Sequence, residues 1–371
     1  MPDETKTNFM PPPRSRIAVA LSGGVDSTAA AAILVEAGYD CVGVTLELET
    51  QQKSLPDAGE PLFKPGTVNK ASNICARLNI PCQVLQAGEA FSRHIIDRFA
   101  AEYVSGRTPN PCVRCNRMMK FGLLFQEARR LQCDFMATGH YARLLEQGGR
   151  IALRRAAHLP KDQSYALAAL SQAQLRRSCF PLGNLSKKEA LEIAVTLDPA
   201  MADIRESQDI CFVSDGDYAR IVAARAPAAG PGLIRDLEGN FLGRHNGIHH
   251  YTIGQRRGLG ISAVEPLYVV RIEAATNTVY VGSRTQAYVQ DFTTGRLCWG
   301  MLMPQEAPFH ALVQLRYTHT ASPCIVTPTP RGASVHLTSP QRAITPGQWA
   351  VFYDEEGWVC AAAEIQDFVL S

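Results

Sequence analysis

The most constraining feature of this 371-residue chain is a short apolar run, Ile17-Ala18-Val19-Ala20-Leu21, that stops abruptly at Ser22-Gly23-Gly24-Val25-Asp26-Ser27. A continuous apolar run of this length reads as a strand buried on both faces of a parallel sheet. The stretch after it, Thr28 to Ala37, is rich in alanine, carries Ile33, Leu34 and Val35, and ends at Gly38. That pattern predicts a helix with a glycine C-cap. Cys41 to Leu46 supplies a second strand. Strand, glycine turn, helix, strand is the opening of a doubly wound α/β domain.

Further along, residues 49–67 are polar with three prolines and predict a loop. Helices are expected over 68–78, 91–103 and about 119–131, strands over 82–85 and 135–138, and a Pro/Cys-rich loop over 107–117. From about residue 215 helical periodicity fades and glycine, proline and β-branched residues take over. Residues 268–272 and 278–281 read as a hairpin with Asn277 in the turn. Short alternating strands at 311–317, 323–327, 334–337, 349–353 and 358–365 predict a C-terminal β-barrel. The expected organisation is a disordered tail over 1–14, an α/β catalytic domain over 15–215, a small mixed or β central domain over 216–288, and a β-barrel domain over 289–371. With 46% hydrophobic and 19% charged residues the chain can bury a sizeable core. No apolar run approaches the roughly 20 residues that span a bilayer, and the polar, Pro-rich N-terminus lacks a secretory pattern, so a cytoplasmic protein with no membrane partner is expected.

The turn Ser22 to Ser27 has a chemistry of its own. Two glycines let the backbone approach a ligand closely. The N–H groups at the start of the following helix then face an anion in a favourable dipole field. Asp26 repels phosphate, so it is expected either to help hold Mg²⁺ or to organise the loop. No Lys-bearing Walker sequence follows. The six residues resemble the SGGxDS loop of the ATP pyrophosphatases, which cleave ATP between the α and β phosphates and adenylate an oxygen.

Eleven cysteines, an odd number without a disulfide framework, point to core thiols and a few reactive or metal-binding ones. Cys112 and Cys115 form a C-x-x-C unit in the Pro-rich stretch, and Cys211 lies in Ser207-Gln208-Asp209-Ile210-Cys211-Phe212. Arg107, Arg114 and Arg117 flank the pair and would lower a thiol pKa, which makes Cys115 a candidate activated thiol. A structural zinc needs four ligands, and no second C-x-x-C or H-x₃₋₅-H pair accompanies the first.

Several stretches together resemble the bacterial tRNA-specific 2-thiouridylase family: Ala20 to Ser27, Gly106 to Phe121, Ala137 to Tyr141, Lys161 to Tyr165, Ser207 to Phe212, His250 to Ile261, Leu315 to Tyr317 and Thr345 to Tyr353. The resemblance implies an ATP- and Mg²⁺-dependent transfer of sulfur to C2 of the wobble uridine, in the tRNAs for Lys, Glu and Gln. It places ATP on Ala20, Leu21, Ser22, Gly23, Gly24, Val25, Asp26 and Ser27, with Leu46 near the adenine and Gly139 closing on the nucleotide. It makes Cys211 the persulfide carrier, supplied by a cysteine desulfurase or a sulfur-relay protein, and Cys115 the second catalytic cysteine. Asn110, Pro111 and Cys112 would line the target-base pocket, while His140, Lys161, Asp162, Gln163, Arg316, Tyr317 and Gln348 would touch tRNA. Some members carry Asp where this chain has Cys112. The third thiol opens a second scheme, in which Cys112, Cys115 and Cys211 ligate a [4Fe–4S] cluster with one open iron. A small-molecule ATP pyrophosphatase or synthetase is the alternative activity.

Overall fold

The structure is a computed structural model that describes residues 8–48, 66–204, 210–213, 217–227 and 230–370. Up to residue 65, the loop expected over 49–67 lies outside them.

Strands β1 (Arg16–Ala20), β2 (Asp40–Glu47), β3 (Cys82–Gln86) and β4 (Phe135–Ala137) come first, followed by the hairpin β5 (Ala142–Gln147)–β6 (Arg150–Arg155) and a short β7 (Ser178–Cys179). The first sheet has the order β3-β2-β1-β4-β7 and all its pairings are parallel. The period-2 alternation of β1 sorts its side chains into two cores. Ile17 and Val19 pack with Ala29, Ala30 and Leu34 of helix α1 (Val25–Glu36). Ala18 packs on the opposite face with Val42, Val44, Phe121 and Leu124. Chain order reverses between β1, whose successor lies on one side, and β4 on the other. A crevice therefore opens at the carboxyl ends of β1 and β4, where open α/β sheets bind ligands.

Strands β8 (Gly232–Arg235), β9 (Phe241–His245), β10 (Tyr268–Glu273) and β11 (Thr278–Gly282) form a small mixed sheet in the order β10-β11-β8-β9. Asn277 turns its hairpin with φ of +51°, as expected. The remaining strands are β12 (Tyr288–Thr294), β13 (Cys298–Trp299), β14 (Phe309–Gln314), β15 (Ser322–Thr329), β16 (Gly332–Arg342), β17 (Trp349–Tyr353) and β18 (Val359–Leu370). They run antiparallel in the order β12-β16-β15-β14-β17-β18, and β12 pairs with β18 to close a six-stranded barrel that β13 flanks. The outer face of the barrel joins the first domain's core through Val351, Tyr353, Val359 and Ala362.

Three expectations are corrected. Residues 8–14 are not a free tail: Phe9 N–H donates to Leu144 O at 2.7 Å, and Asn8 accepts from Leu144 N–H and donates to Phe180 O. Residues 107–117 are not all loop, because a helix begins at Pro111 and runs through residue 130, with a π-helical stretch at Asn116–Leu124. Asn110 caps it by accepting from Val113 N–H at 3.2 Å, and Pro111 fits the first turn, where no N–H is needed. The strand expected over 311–317 ends at Gln314, which leaves Arg316 and Tyr317 in the following turn.

Candidate active site

The turn after β1 is held by its own hydroxyls. Ser22 N–H donates to Ser27 Oγ at 3.3 Å, Ser27 Oγ donates to Gly24 O at 3.0 Å, and Thr28 Oγ1 donates to the same carbonyl at 2.9 Å. Gly23 takes φ of +72°, and a Cβ there would lie 2.5 Å from Lys70 Cβ, so both the backbone and the space require glycine. Asp26 opens the first turn of α1, where its Oδ1 accepts from Tyr141 Oη at 2.7 Å and from Lys187 Nζ at 2.6 Å. Of the two roles expected for Asp26, organising the loop is the one these contacts display.

From the neighbouring strand end, Gly139 presses directly on this turn. A Cβ at 139 would lie 2.5 Å from the Asp26 carbonyl carbon and 2.7 Å from Ser27 N. Leu46, half-buried near the end of β2, packs between the core under the sheet and the aromatic cluster of helix 88–104.

Helix 111–130 presents Cys112, exposed, and Cys115, half-buried. Exposed Cys211 is anchored by its neighbour Phe212, whose ring meets Phe91 at 6.0 Å and Phe99 at 5.2 Å in edge-on contacts. The helix that follows, Tyr218–Arg225, is tied to helix 88–104 by stacking of Tyr218 on Tyr103 at 4.6 Å. Cys211 thereby comes near enough to Cys112 and Cys115 for each to raise its thiol pKa.

The expected activation by arginine is not found. Arg107 is committed to Glu102 at 2.6 Å and to Glu364, and Arg114 Nε donates to His94 O at 2.7 Å. The cation that acts on all three thiols is Lys120. Its placement depends on the π-helical stretch, where backbone bonds run from residue i to i+5 and bring residue 120 over residue 115. Lys120 Nζ also donates to His140 Nε2 at 3.4 Å, which leaves Nδ1–H to donate to Thr138 Oγ1 at 2.7 Å. Burial, reinforced by Lys120, holds His140 well below its usual pKa, so it is neutral at pH 7. Although Cys112 and Cys211 keep surface open to solvent, the protein crowded around the three thiols outweighs Lys120. Cys112 and Cys115 are pushed up, and Cys211 is pushed up to about 12, each chiefly by desolvation. In this state the thiols are protonated at neutral pH, contrary to the expectation of an activated Cys115.

Most of the polar residues expected to face RNA make internal bonds. Gln348 Nε2 donates to Thr108 O and Pro109 O, bracing the approach to the cysteine helix. Arg316 donates to Ile253 O, Ala343 O and Thr345 Oγ1. Asp162 accepts from Arg155 at 3.1 Å, Ser164 and Ala156 N–H, and Gln163 Oε1 accepts from Tyr141 N–H. Asn110 is the helix cap and Pro111 is buried. Tyr317, 49% exposed, and half-buried Lys161 keep surface toward solvent.

A Mg²⁺ arriving with ATP takes most of its ligands from phosphate oxygens and water plus one or two carboxylates, a donor set that Asp26 can complete. Among the described residues, no three His, Cys, Asp or Glu side chains are grouped as a metal site. Cys112, Cys115 and Cys211 are thus neighbours without being arranged as cluster ligands, and no step through an iron–sulfur cluster is derived.

Two functional candidates, Lys120 and Lys187, escaped the sequence reading. Nothing in the spacing marks Lys120, since residues five apart do not share a face of an α-helix. Lys187 left a trace. Ser186 and Glu189 form a capping box, so Lys187 is the first residue of a helix, at the positive end of its dipole. A lysine is unfavourable there without an anionic partner, and Asp26 is that partner.

A parallel sheet whose switch point carries a glycine turn built for phosphate defines a nucleotide-activating α/β enzyme of the pyrophosphate-loop class. Residues 15–215 match the family described as tRNA methyl transferase HUP domain, residues 220–283 the tRNA methyl transferase PRC-barrel domain, and residues 289–360 the aminomethyltransferase beta-barrel domain. The tRNA-specific 2-thiouridylase MnmA of Chloroflexus aurantiacus is 45% identical over 358 residues, covering 93% of this chain and 98% of that protein. Proteins of the same name from Syntrophotalea carbinolica and Magnetococcus marinus are 43% and 40% identical, covering 92% and 93% of this chain and 98% of each relative. The chain belongs to the tRNA-specific 2-thiouridylase family.

Proposed function

We propose that this chain uses ATP to replace the C2 oxygen of the wobble uridine of tRNA with sulfur. ATP rests on Ala20 to Ser27, with Leu46 beside the adenine and Gly139 closing the turn. Lys187 supplies positive charge beside the phosphates. The uridine O2 attacks the α-phosphorus, pyrophosphate leaves, and C2 is bonded to the oxygen of an AMP leaving group. Cys211 carries a persulfide from a cysteine desulfurase or a relay protein. The terminal persulfide sulfur attacks C2 and AMP departs. Cys115 then gives up its thiol proton to solvent and attacks the Cys211 sulfur, which breaks the S–S bond, frees the 2-thiouridine and leaves a Cys115–Cys211 disulfide for a reductant to reset.

The target base must leave its stack to reach this chemistry, and Asn110, Pro111 and Cys112 form the wall it would meet. Tyr317 and Lys161 offer surface to the RNA, while Gln348, Arg316, Asp162, Gln163 and His140 act by bracing the site. The remaining expectations stay with this reading: the tRNAs for Lys, Glu and Gln, a cytoplasmic location, and a division near residues 215 and 288 into catalytic, central and barrel domains.

The observation that supports this reading best is that Cys211, remote in sequence from Cys112 and Cys115, comes within electrostatic reach of both, with Lys120 acting on all three. A pyrophosphatase acting on a small acceptor has no use for that convergence. The direct test incubates the protein with tRNA, ATP, Mg²⁺, cysteine and a cysteine desulfurase, then analyses anticodon nucleosides by mass spectrometry. Thiolated wobble uridine with one AMP per sulfur is expected. ATP turnover with a small acceptor and unmodified RNA would refute the reading.

Lys120→Met is expected to lower single-turnover thiolation at pH 7 about 10- to 100-fold, the effect of one nearby charge on a thiol's ionisation. Losing the cation raises the thiol pKa values further, so the deficit should shrink as pH rises, and Lys120→Arg should recover much of the rate. Parallel pH profiles in wild type and variant would show that Lys120 does not act on the thiols.

A further inference from the structure

A half-open cleft of about 370 Å³ lies between the cysteine helix and the barrel, and none of Cys112, Cys115, Cys211 or Lys120 lines it. Its volume falls within the roughly 300–1,000 Å³ range of small-ligand sites. Four arginines line it: Arg98 from helix 88–104, Arg114 and Arg117 from the cysteine helix, and Arg296 from the barrel. Only two carboxylates accompany them, Glu102 and Glu364, and both already bind Arg107 from outside the lining. Glu102 also takes Arg98 at 2.5 Å. Among the described residues, Arg117 and Arg296 have no carboxylate partner within salt-bridge distance.

Crowded cations in a partly desolvated cleft repel one another until an anion enters. That crowding is visible at Arg114, whose guanidinium is held below its ordinary value by burial first and by Arg98 and Arg117 as well. Arg117, Arg296 and Cys298 share the cleft wall, where burial pushes the Cys298 thiol up and the two guanidiniums pull it back. The cleft has an apolar side too. Met118, 39% exposed, and half-buried Trp349 present apolar, polarisable surface beside the arginines. Guanidinium groups next to such surface suit a phosphate joined to a nucleobase. Asn110 and Pro111, which line the proposed base pocket, also form part of this wall, so the cleft adjoins the reacting nucleotide.

We propose that this cleft binds an RNA nucleotide neighbouring the one that reacts, with its phosphodiester on Arg117 and Arg296 and its base against Met118 and Trp349. The proposal rests on the reading that RNA is the substrate. It adds a site that grips the strand away from the chemistry.

The test measures affinity for an anticodon stem-loop RNA across a salt series in wild type, Arg296→Glu and Arg296→Lys. Arg296 is exposed, so neither change threatens the fold. Arg296→Glu should weaken binding about tenfold and reduce the slope of log affinity against log salt by about 1, the signature of one lost phosphate contact. Arg296→Lys should keep the slope. Alkylation of Cys298, followed by peptide mass spectrometry, should slow when the stem-loop is bound. Unchanged affinity and slope in Arg296→Glu overturn the proposal. Equal protection of Cys298 by inorganic phosphate alone also overturns it, by marking a free-phosphate site. If the wild-type protein thiolates RNA while Arg296→Glu binds it normally, only this proposal falls; if the wild type thiolates nothing, the functional reading falls instead.

Discussion

Gly139→Ala is expected to cut RNA-dependent ATP–pyrophosphate exchange about 100-fold without unfolding the protein. The added methyl would sit 2.5 Å from the Asp26 carbonyl carbon, 2.7 Å from Asp26 O and 2.7 Å from Ser27 N. All three are backbone atoms, so no side chain can rotate aside. Relief has to come from a shift of either the β4 end or the phosphate turn. Met136 and Ala137, just before Gly139, are fully buried, so the strand is the stiffer partner. The turn then moves by about an ångström, a displacement that typically costs about 10²-fold in a positioned reaction. Exchange near the wild-type rate would mean that ATP does not bind against this backbone.

Cys211→Ser should abolish sulfur transfer, by about 10⁴-fold or more, as loss of a covalent nucleophile does. It should leave pyrophosphate exchange near wild type. Serine is nearly isosteric and Cys211 is exposed, so Phe212 keeps its place against Phe91 and Phe99. The two assays separate the half-reactions of the proposed mechanism, in which adenylation needs the phosphate turn and thiolation needs the sulfur carrier. Persistent thiolation in this variant, with persulfide absent from the protein, would move the carrier role elsewhere.

The parts of the site legible in the sequence are those that neighbours in the chain build. The turn at Ser22 to Ser27 is one, because the serine and threonine hydrogen bonds that shape it run between residues at most five apart. The apolar patterns that place β1, β2 and α1 are local in the same sense. The start of the cysteine helix was also local, in the Asn110 cap and the proline at the first position, but the two prolines outweighed that signal and the segment read as loop. The three flanking arginines misled for a different reason. Proximity along the chain put them next to Cys112 and Cys115, yet Arg107 and Arg114 bond elsewhere in the fold, and Arg117 faces the barrel's Cys298.

A phosphate turn between a buried strand and a helix, and a barrel in the C-terminal part, are both legible in residue order, since short-range hydrogen bonding and side-chain periodicity encode them. Which charges meet which groups is settled by the fold. It brought Lys187 to Asp26, Lys120 to the thiols and His140, and Gln348 to the backbone before the cysteine helix. Desolvation then set the thiols' ionisation against what their charged neighbours in sequence implied. Electrostatic energy depends on distance through space and on local burial, and neither quantity is written in the order of residues along a chain.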